Sequence, residues 1–162
     1  MTPANPPSPG PIPGDGGPIA SPMVLALESS CDETSAAVVH RGEVLSNIVA
    51  SQVRLHAEYG GVVPELATRE HLRNLIPVVR QSLQAAGVSM DAMTAVAATR
   101  GPGLPAALMA GWTAAQALAA ARGLPLIGIH HHEAHLYSPW ISGQPPDRKS
   151  TRLNSSHANI SY

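Results

Sequence analysis

Four of the chain's eight histidines fall within six residues, in Gly128-Ile129-His130-His131-His132-Glu133-Ala134-His135, directly after an apolar run. If this stretch opens a helix, His131 and His135 stand four apart. They then project from one face about one turn of rise apart, and two imidazoles can share a metal ion. Glu133, two positions after His131, points elsewhere. Imidazole suits zinc, iron, copper or nickel, so the spacing names a metal site without naming its metal. A histidine-rich helix start exposed to water has the same spacing, and both readings stay open.

A second chemical group lies near the start. Asp32 and Glu33 follow the apolar run Val24 to Glu28, at the C-terminal end of an expected strand, where open α/β sheets tend to place ligands. Adjacent carboxylates can orient a hydroxyl or amine, accept a proton, or hold a metal through water. A solvated acidic loop is the bland alternative. A third feature, Gly101-Pro102-Gly103 before an alanine-rich segment, could offer backbone N–H groups to an anion, although such a sequence is more often simply a turn.

The elements that must position these groups can be read in order. Val24 to Glu28 suits a strand buried on both faces. Ser29 to Thr34 interrupts it, Ser35 to His40 resumes a strand pattern, Arg41-Gly42 turns, and Glu43 to Ser51 reads as a third strand, giving an antiparallel meander. Glu65 to Ala86 predicts a helix with Leu72, Leu75, Ile76, Val79, Leu83 and Ala86 on its apolar face and a kink at Pro77. Ala92 to Thr99 predicts a strand, Leu104 to Ala121 a helix ended by Gly123, and Leu124 to Ile129 a buried strand leading into the histidine helix. The order βββαβαβα implies an α/β fold: a mixed sheet with a parallel portion and helices packed on it.

Composition bounds the domain. Residues 1–22 carry eight prolines and four glycines with Asp15 as the only charge, so a disordered leader is expected there, with neither the basic start nor the apolar run of a targeting peptide. From Asp147 the chain reads DRKSTRLNSSHANISY, without hydrophobic period and with the sequence's only lysine, Lys149; the expectation is a non-native tail over 147–162. Residues 23–146 hold seven arginines against nine acidic residues, enough chain for one core and no strong electrostatic footprint for nucleic acid. The single cysteine, Cys31, excludes an internal disulfide and fits a reducing, cytoplasmic compartment. Residues 104–121 approach the length of a membrane span, but their alanine content with Thr113 and Gln116 points to a buried helix of a soluble domain.

In combination the motifs are specific. LALESSCDETSAAVV at 25–39, SQVRLHAEYGGVVPELATREHLRNLIPVV at 51–79, RGPGLPAAL at 100–108 and GIHHHEAHLYSP at 128–139 resemble the TsaD/Gcp family of tRNA threonylcarbamoyladenosine synthases, in the family's order and spacing. The resemblance implies the N-terminal half of an actin/Hsp70/sugar-kinase-like (RNase H-like) protein. It also implies transfer of a threonylcarbamoyl group from threonylcarbamoyl-AMP to N6 of the adenosine beside the anticodon, in tRNAs that read codons starting with A, with TsaB and TsaE as accessory proteins. On this resemblance His131 and His135 are ligands of one iron or zinc ion, and His130 and His132 are bystanders. Asp32 positions or deprotonates the amine, and Glu33 plays a lesser part.

Two family features have no counterpart in this sequence: a Ser-Gly-Gly-His phosphate-binding turn and a distal aspartate that is the third protein ligand of the metal. The expectation is therefore a chain that is inactive by itself and binds metal weakly. A zincin peptidase is disfavoured because Leu136 stands where His-Glu-x-x-His needs its second histidine, and the inverted form fails at Ala134. A TsaB-like scaffold would not be expected to carry both the CDET and the His-x-x-x-His motifs. A sugar-kinase-like phosphotransferase is the remaining alternative.

Overall fold

The structure, a computed structural model, describes residues 21–142; the expected leader up to residue 20 and the expected tail at 147–162 lie outside them. Alternating small and branched residues make the first three strands, β1 (Met23–Glu28), β2 (Glu33–His40) and β3 (Glu43–Ser51). They pair antiparallel, with Leu25 opposite Val38 and Ala36 opposite Ile48. Arg41 and Gly42 both take positive φ, 54° and 81°, the geometry that a two-residue hairpin needs to match the twist of its strands. The meander is as the alternation predicts, except that Glu33 and Thr34 already belong to β2.

A short helix, α1 (Val53–Ala57), precedes α2 (Pro64–Ala85) and is not predicted by the periodicity; five residues are too few to show a period. Pro64 opens α2 at a position where a missing N–H costs nothing, and the helix continues through Pro77. A 3-10 turn at Met90–Ala92 delays the next strand, so that β4 spans Ala95–Gly101 rather than starting at Ala92. Helix α3 (Pro105–Arg122) ends on Gly123 at φ 63°, where Leu124 N–H reaches back to Ala119 C=O. Strand β5 (Leu126–His130) runs directly into α4 (His131–Tyr137).

The sheet order is β3-β2-β1-β4-β5, with β1, β4 and β5 parallel. This is the mixed sheet with a parallel portion that the element order implies. Leu25, Leu27, Ala36 and Val38 of the sheet meet Val78 and Val79 of α2 and Ala115 and Ala119 of α3 in one core. The small residues of α3 allow close approach. A Cβ on Gly111 would collide with Ser29 Oγ, and in the turn before α3 one on Gly103 would stand 2.6 Å from Ser30 C=O.

Two expectations are corrected. The buried side of α2 is His71, Leu75, Val78, Val79 and Ser82, while Leu72 and Ile76 are 64% and 50% exposed. The helix is rotated because two polar side chains, His71 and Ser82, find buried hydrogen-bond partners on the sheet, as described below; counting apolar residues alone cannot anticipate this. Strand β5 is not buried either. It is a sheet edge among the described residues, with Ile127 43% exposed. No helix among the described residues is long and apolar enough to cross a membrane.

Candidate active site

The parallel strands β1, β4 and β5 end at Glu28, Gly101 and His130, and the groups singled out from the sequence gather around these carboxyl ends. His131 and His135 lie on α4 as the four-residue spacing requires, with their Nε2 atoms 3.1 Å apart and the rings edge to face. Two nitrogens at that separation, each about 2.05 Å from one ion, subtend roughly 98° at it, between the octahedral and tetrahedral angles. At that separation the pair can share one ion or, with a proton on one Nε2, hydrogen-bond to each other. Among the described residues no third histidine, cysteine or carboxylate completes a metal-binding group with them.

Behind His131 lies a carboxylate that the sequence reading does not single out. Glu28 ends β1; its Oε1 accepts the Ser30 backbone N–H and its Oε2 accepts the Thr99 hydroxyl. His131 Nδ1 is 3.4 Å from Glu28 Oε2 and 3.2 Å from Ser30 Oγ. Burial pushes the Glu28 carboxyl up, but the hydrogen bonds from Thr99 and Ser30, with His131 close by, outweigh it and hold the group below the usual carboxylate value. The signal that could have found it is a charge closing an otherwise apolar buried strand, where an ionised group needs partners.

The loop from Ser29 to Asp32 is fixed on several sides. Ser29 Oγ donates to Ala107 C=O and accepts from Gly111 N–H, at 2.8 and 3.1 Å, and Leu104 N–H donates to Ser30 C=O at 2.8 Å. That last bond comes from Leu104, directly after the Gly-Pro-Gly turn, and ties the start of α3 to the loop. His71, fully buried, donates from Nε2 to Cys31 C=O at 3.0 Å. Since a neutral ring carries one proton, its Nδ1 accepts from the Thr34 hydroxyl at 2.8 Å. Gln52 N–H holds the Asp32 carbonyl at 2.9 Å, and the Gln52 side chain is held in turn by His56 and Ala67 C=O.

The two acidic residues are thereby separated. Asp32 is half-buried at the end of the fixed loop, whereas Glu33 is exposed in the first position of β2, opposite Ser51. Thr34 points into the core, so its neighbour Glu33 faces the other side of the sheet. His131 reaches the loop through Ser30 and Glu28, not through Asp32 or Glu33. His132 is exposed, and His130 is the last residue of β5.

Cys31 reports on this loop. Burial, and after it the adjacent Asp32 carboxylate, push its thiol up to about 11 from 9.0. Below pH 9 this leaves about 100-fold less thiolate than an unperturbed cysteine would have, and because a more basic thiolate is also the better nucleophile, alkylation by iodoacetamide should be slower by about tenfold. Because Cys31 is the only cysteine, mass spectrometry of the intact chain reads the rate directly. Asp32→Asn should accelerate it several-fold; an unchanged rate would separate the Asp32 carboxylate from the thiol.

Fold and site define an α/β domain built on a mixed five-stranded sheet, with a histidine pair and a braced acidic loop at the carboxyl edge of its sheet. The chain belongs to the TsaD family, described as tRNA N6-adenosine threonylcarbamoyltransferase, whose profile matches residues 43–150. It is 56% identical over 120 residues to the enzyme of that name from Pelobacter propionicus, covering 74% of this chain and 35% of the relative. It is 48% identical over 143 residues to the one from Syntrophus aciditrophicus, covering 86% and 42%. Among solved structures, YeaZ-like proteins of Pseudomonas aeruginosa are similar; one aligns with a TM-score of 0.58 at 28% identity, covering 74% of this chain and 48% of that one. The chain thus spans well under half the length of these transferase relatives.

Proposed function

We propose that this chain supplies the N-terminal half of the catalytic centre of a tRNA threonylcarbamoyltransferase. The observation that supports the reading is the convergence of the His131–His135 pair and the fixed Ser29–Asp32 loop at one sheet edge. The reaction joins the adenosine N6 to the carbamoyl carbon of threonylcarbamoyl-AMP, breaks the bond from that carbon to the AMP phosphate oxygen, and releases one proton from N6. An exocyclic aromatic amine is a poor nucleophile, so orientation and proton removal matter most. Asp32 orients the amine and takes its proton; Glu33, turned away, contributes less. His131 and His135 would hold one divalent ion, iron or zinc, which when bound would supply a Lewis acid and template for the adenylate.

The same reading makes tRNA and threonylcarbamoyl-AMP the substrates, in the cytoplasm, with TsaB- and TsaE-type proteins as partners. An apolar strip on α2 and α3, where Leu72, Ile76 and Met109 are half or more exposed, supports a protein partner. A TsaB-like scaffold role for the chain itself is less favoured, since relatives about half identical carry the transferase name while the YeaZ likeness is at 28%.

The test is a hybrid in which residues 23–142 replace the matching segment of the Pelobacter propionicus relative. With accessory proteins, the hybrid is expected to modify tRNA within about tenfold of the parent rate, while the 162-residue chain gives no modified nucleoside by mass spectrometry. A folded but inactive hybrid would overturn the reading.

A further inference from the structure

We propose that Glu28 is a positioning residue: its carboxylate, together with the Ser30 hydroxyl, accepts the Nδ1 proton of His131 and so presents a bare Nε2 towards His135 and the metal. The inference rests on the metal reading above and adds to it a residue that acts through His131.

The geometry carries it. A neutral imidazole holds one proton, and only the nitrogen without it can bind a metal. His131 Nε2 faces His135 Nε2 at 3.1 Å; on the metal reading it is the nitrogen that must be bare, and without metal a bare His131 Nε2 accepts the Nε2 proton of His135. Its Nδ1 lies between Ser30 Oγ at 3.2 Å and Glu28 Oε2 at 3.4 Å, the arrangement of a proton shared by two acceptors. Glu28 can serve as the fixed acceptor because each of its oxygens is already tied to another part of the fold. Oε1 takes the N–H of Ser30 in the loop, and Oε2 takes the hydroxyl of Thr99 on β4. Three donors converging on one half-buried group match an ionised carboxylate, which is acceptor-only. Carboxylates in this position orient ligating histidines and raise their basicity, and losing them commonly lowers metal affinity 10–100-fold.

A purely structural Glu28 would tie the loop to β4 and leave the tautomer of His131 to other groups. In that case the Ser30 hydroxyl would donate to Nδ1, and the proton would sit on Nε2. The two arrangements are distinguished by long-range 1H–15N correlation spectra of the 162-residue chain, which report the protonated nitrogen of each ring. Zinc titration of the same sample is followed at the His131 and His135 resonances.

In the wild-type chain His131 is expected to be protonated at Nδ1. Glu28→Gln should shift its population towards the Nε2-protonated form and weaken zinc binding 10–100-fold. Thr99→Val, which keeps the carboxylate but removes one of its ties, should weaken it by less, and it carries the test if Glu28→Gln does not fold. An unchanged tautomer and unchanged zinc affinity in these folded variants would overturn the role of Glu28. If His131→Ala and His135→Ala also leave zinc binding unchanged, the metal reading falls with it; if they abolish it while Glu28→Gln does not weaken it, only the positioning role falls.

Discussion

Asp32→Asn is expected to lower threonylcarbamoyl transfer by the hybrid enzyme about 10²- to 10⁴-fold, the range lost when a positioned acid–base group is removed. Glu33→Gln should cost less than about tenfold. The asymmetry follows from the loop. Asp32 is held through its own carbonyl by Gln52 and through that of Cys31 by His71, so its carboxylate sits on fixed backbone at the edge where the histidines lie. Glu33 is exposed and turned to the opposite side of β2 from Thr34. Asparagine keeps the shape of aspartate but cannot accept the amine proton, so the loss should fall on kcat with KM for tRNA nearly unchanged. Single-turnover rates at saturating tRNA decide the matter. An Asp32→Asn rate within twofold of wild type would remove Asp32 from the chemistry.

His71→Leu should destabilise the 162-residue chain by about 3 kcal/mol at pH 8, because it leaves the Cys31 carbonyl and the Thr34 hydroxyl without their buried partner. The difference should also depend on pH. Burial holds the His71 ring below its ordinary value of 6.5; the bond to Cys31 C=O and the charges of Glu28 and Asp32 oppose that shift, and His56 adds to it. The unfolded chain then binds more protons than the folded one just below pH 6.5. The stability that neutral His71 contributes is therefore fully present above pH 6.5 and is lost as pH falls through the lower folded-state value. Urea unfolding of both proteins from pH 8 to pH 5 should show the gap narrowing on acidification. A constant gap would mean that His71 does not titrate with folding.

Much of the architecture was legible because it rests on periodicity and turn chemistry. The alternation in 24–51 and the Arg41-Gly42 turn yield the meander, and the Gly-Pro-Gly turn and Gly123 bracket α3. The four-residue spacing of His131 and His135 places them together as the structure does. What was not legible depends on partners distant in sequence. Leu72 and Ile76 look like core residues until His71 and Ser82 are seen to take the inner face of α2. The edge position of β5 depends on what flanks it in space. Glu28 reads as the end of a strand, and its link to His131 spans 103 residues. The separation of Asp32 from Glu33 likewise follows from the exact residue at which β2 begins, which alternation locates only to within a residue or two.

Helix α2 is attached to the sheet at two places. Near its start His71 meets Thr34, and farther along Ser82 Oγ lies 2.7 Å from Ser46 Oγ of β3, which also takes the N–H of Val38 beside the irregularity in β2. The two attachment points are eleven residues apart, about three turns and roughly 16 Å along the axis, so they lie on one line of the helix. A bar fixed at one point can swivel, but a bar fixed at two can neither roll nor slide. The acidic loop is thus gauged against the far strand of the sheet: a shift of β3 by one residue would turn Ser46 away, free α2 to roll, and withdraw His71 from the carbonyl that sets where Asp32 stands.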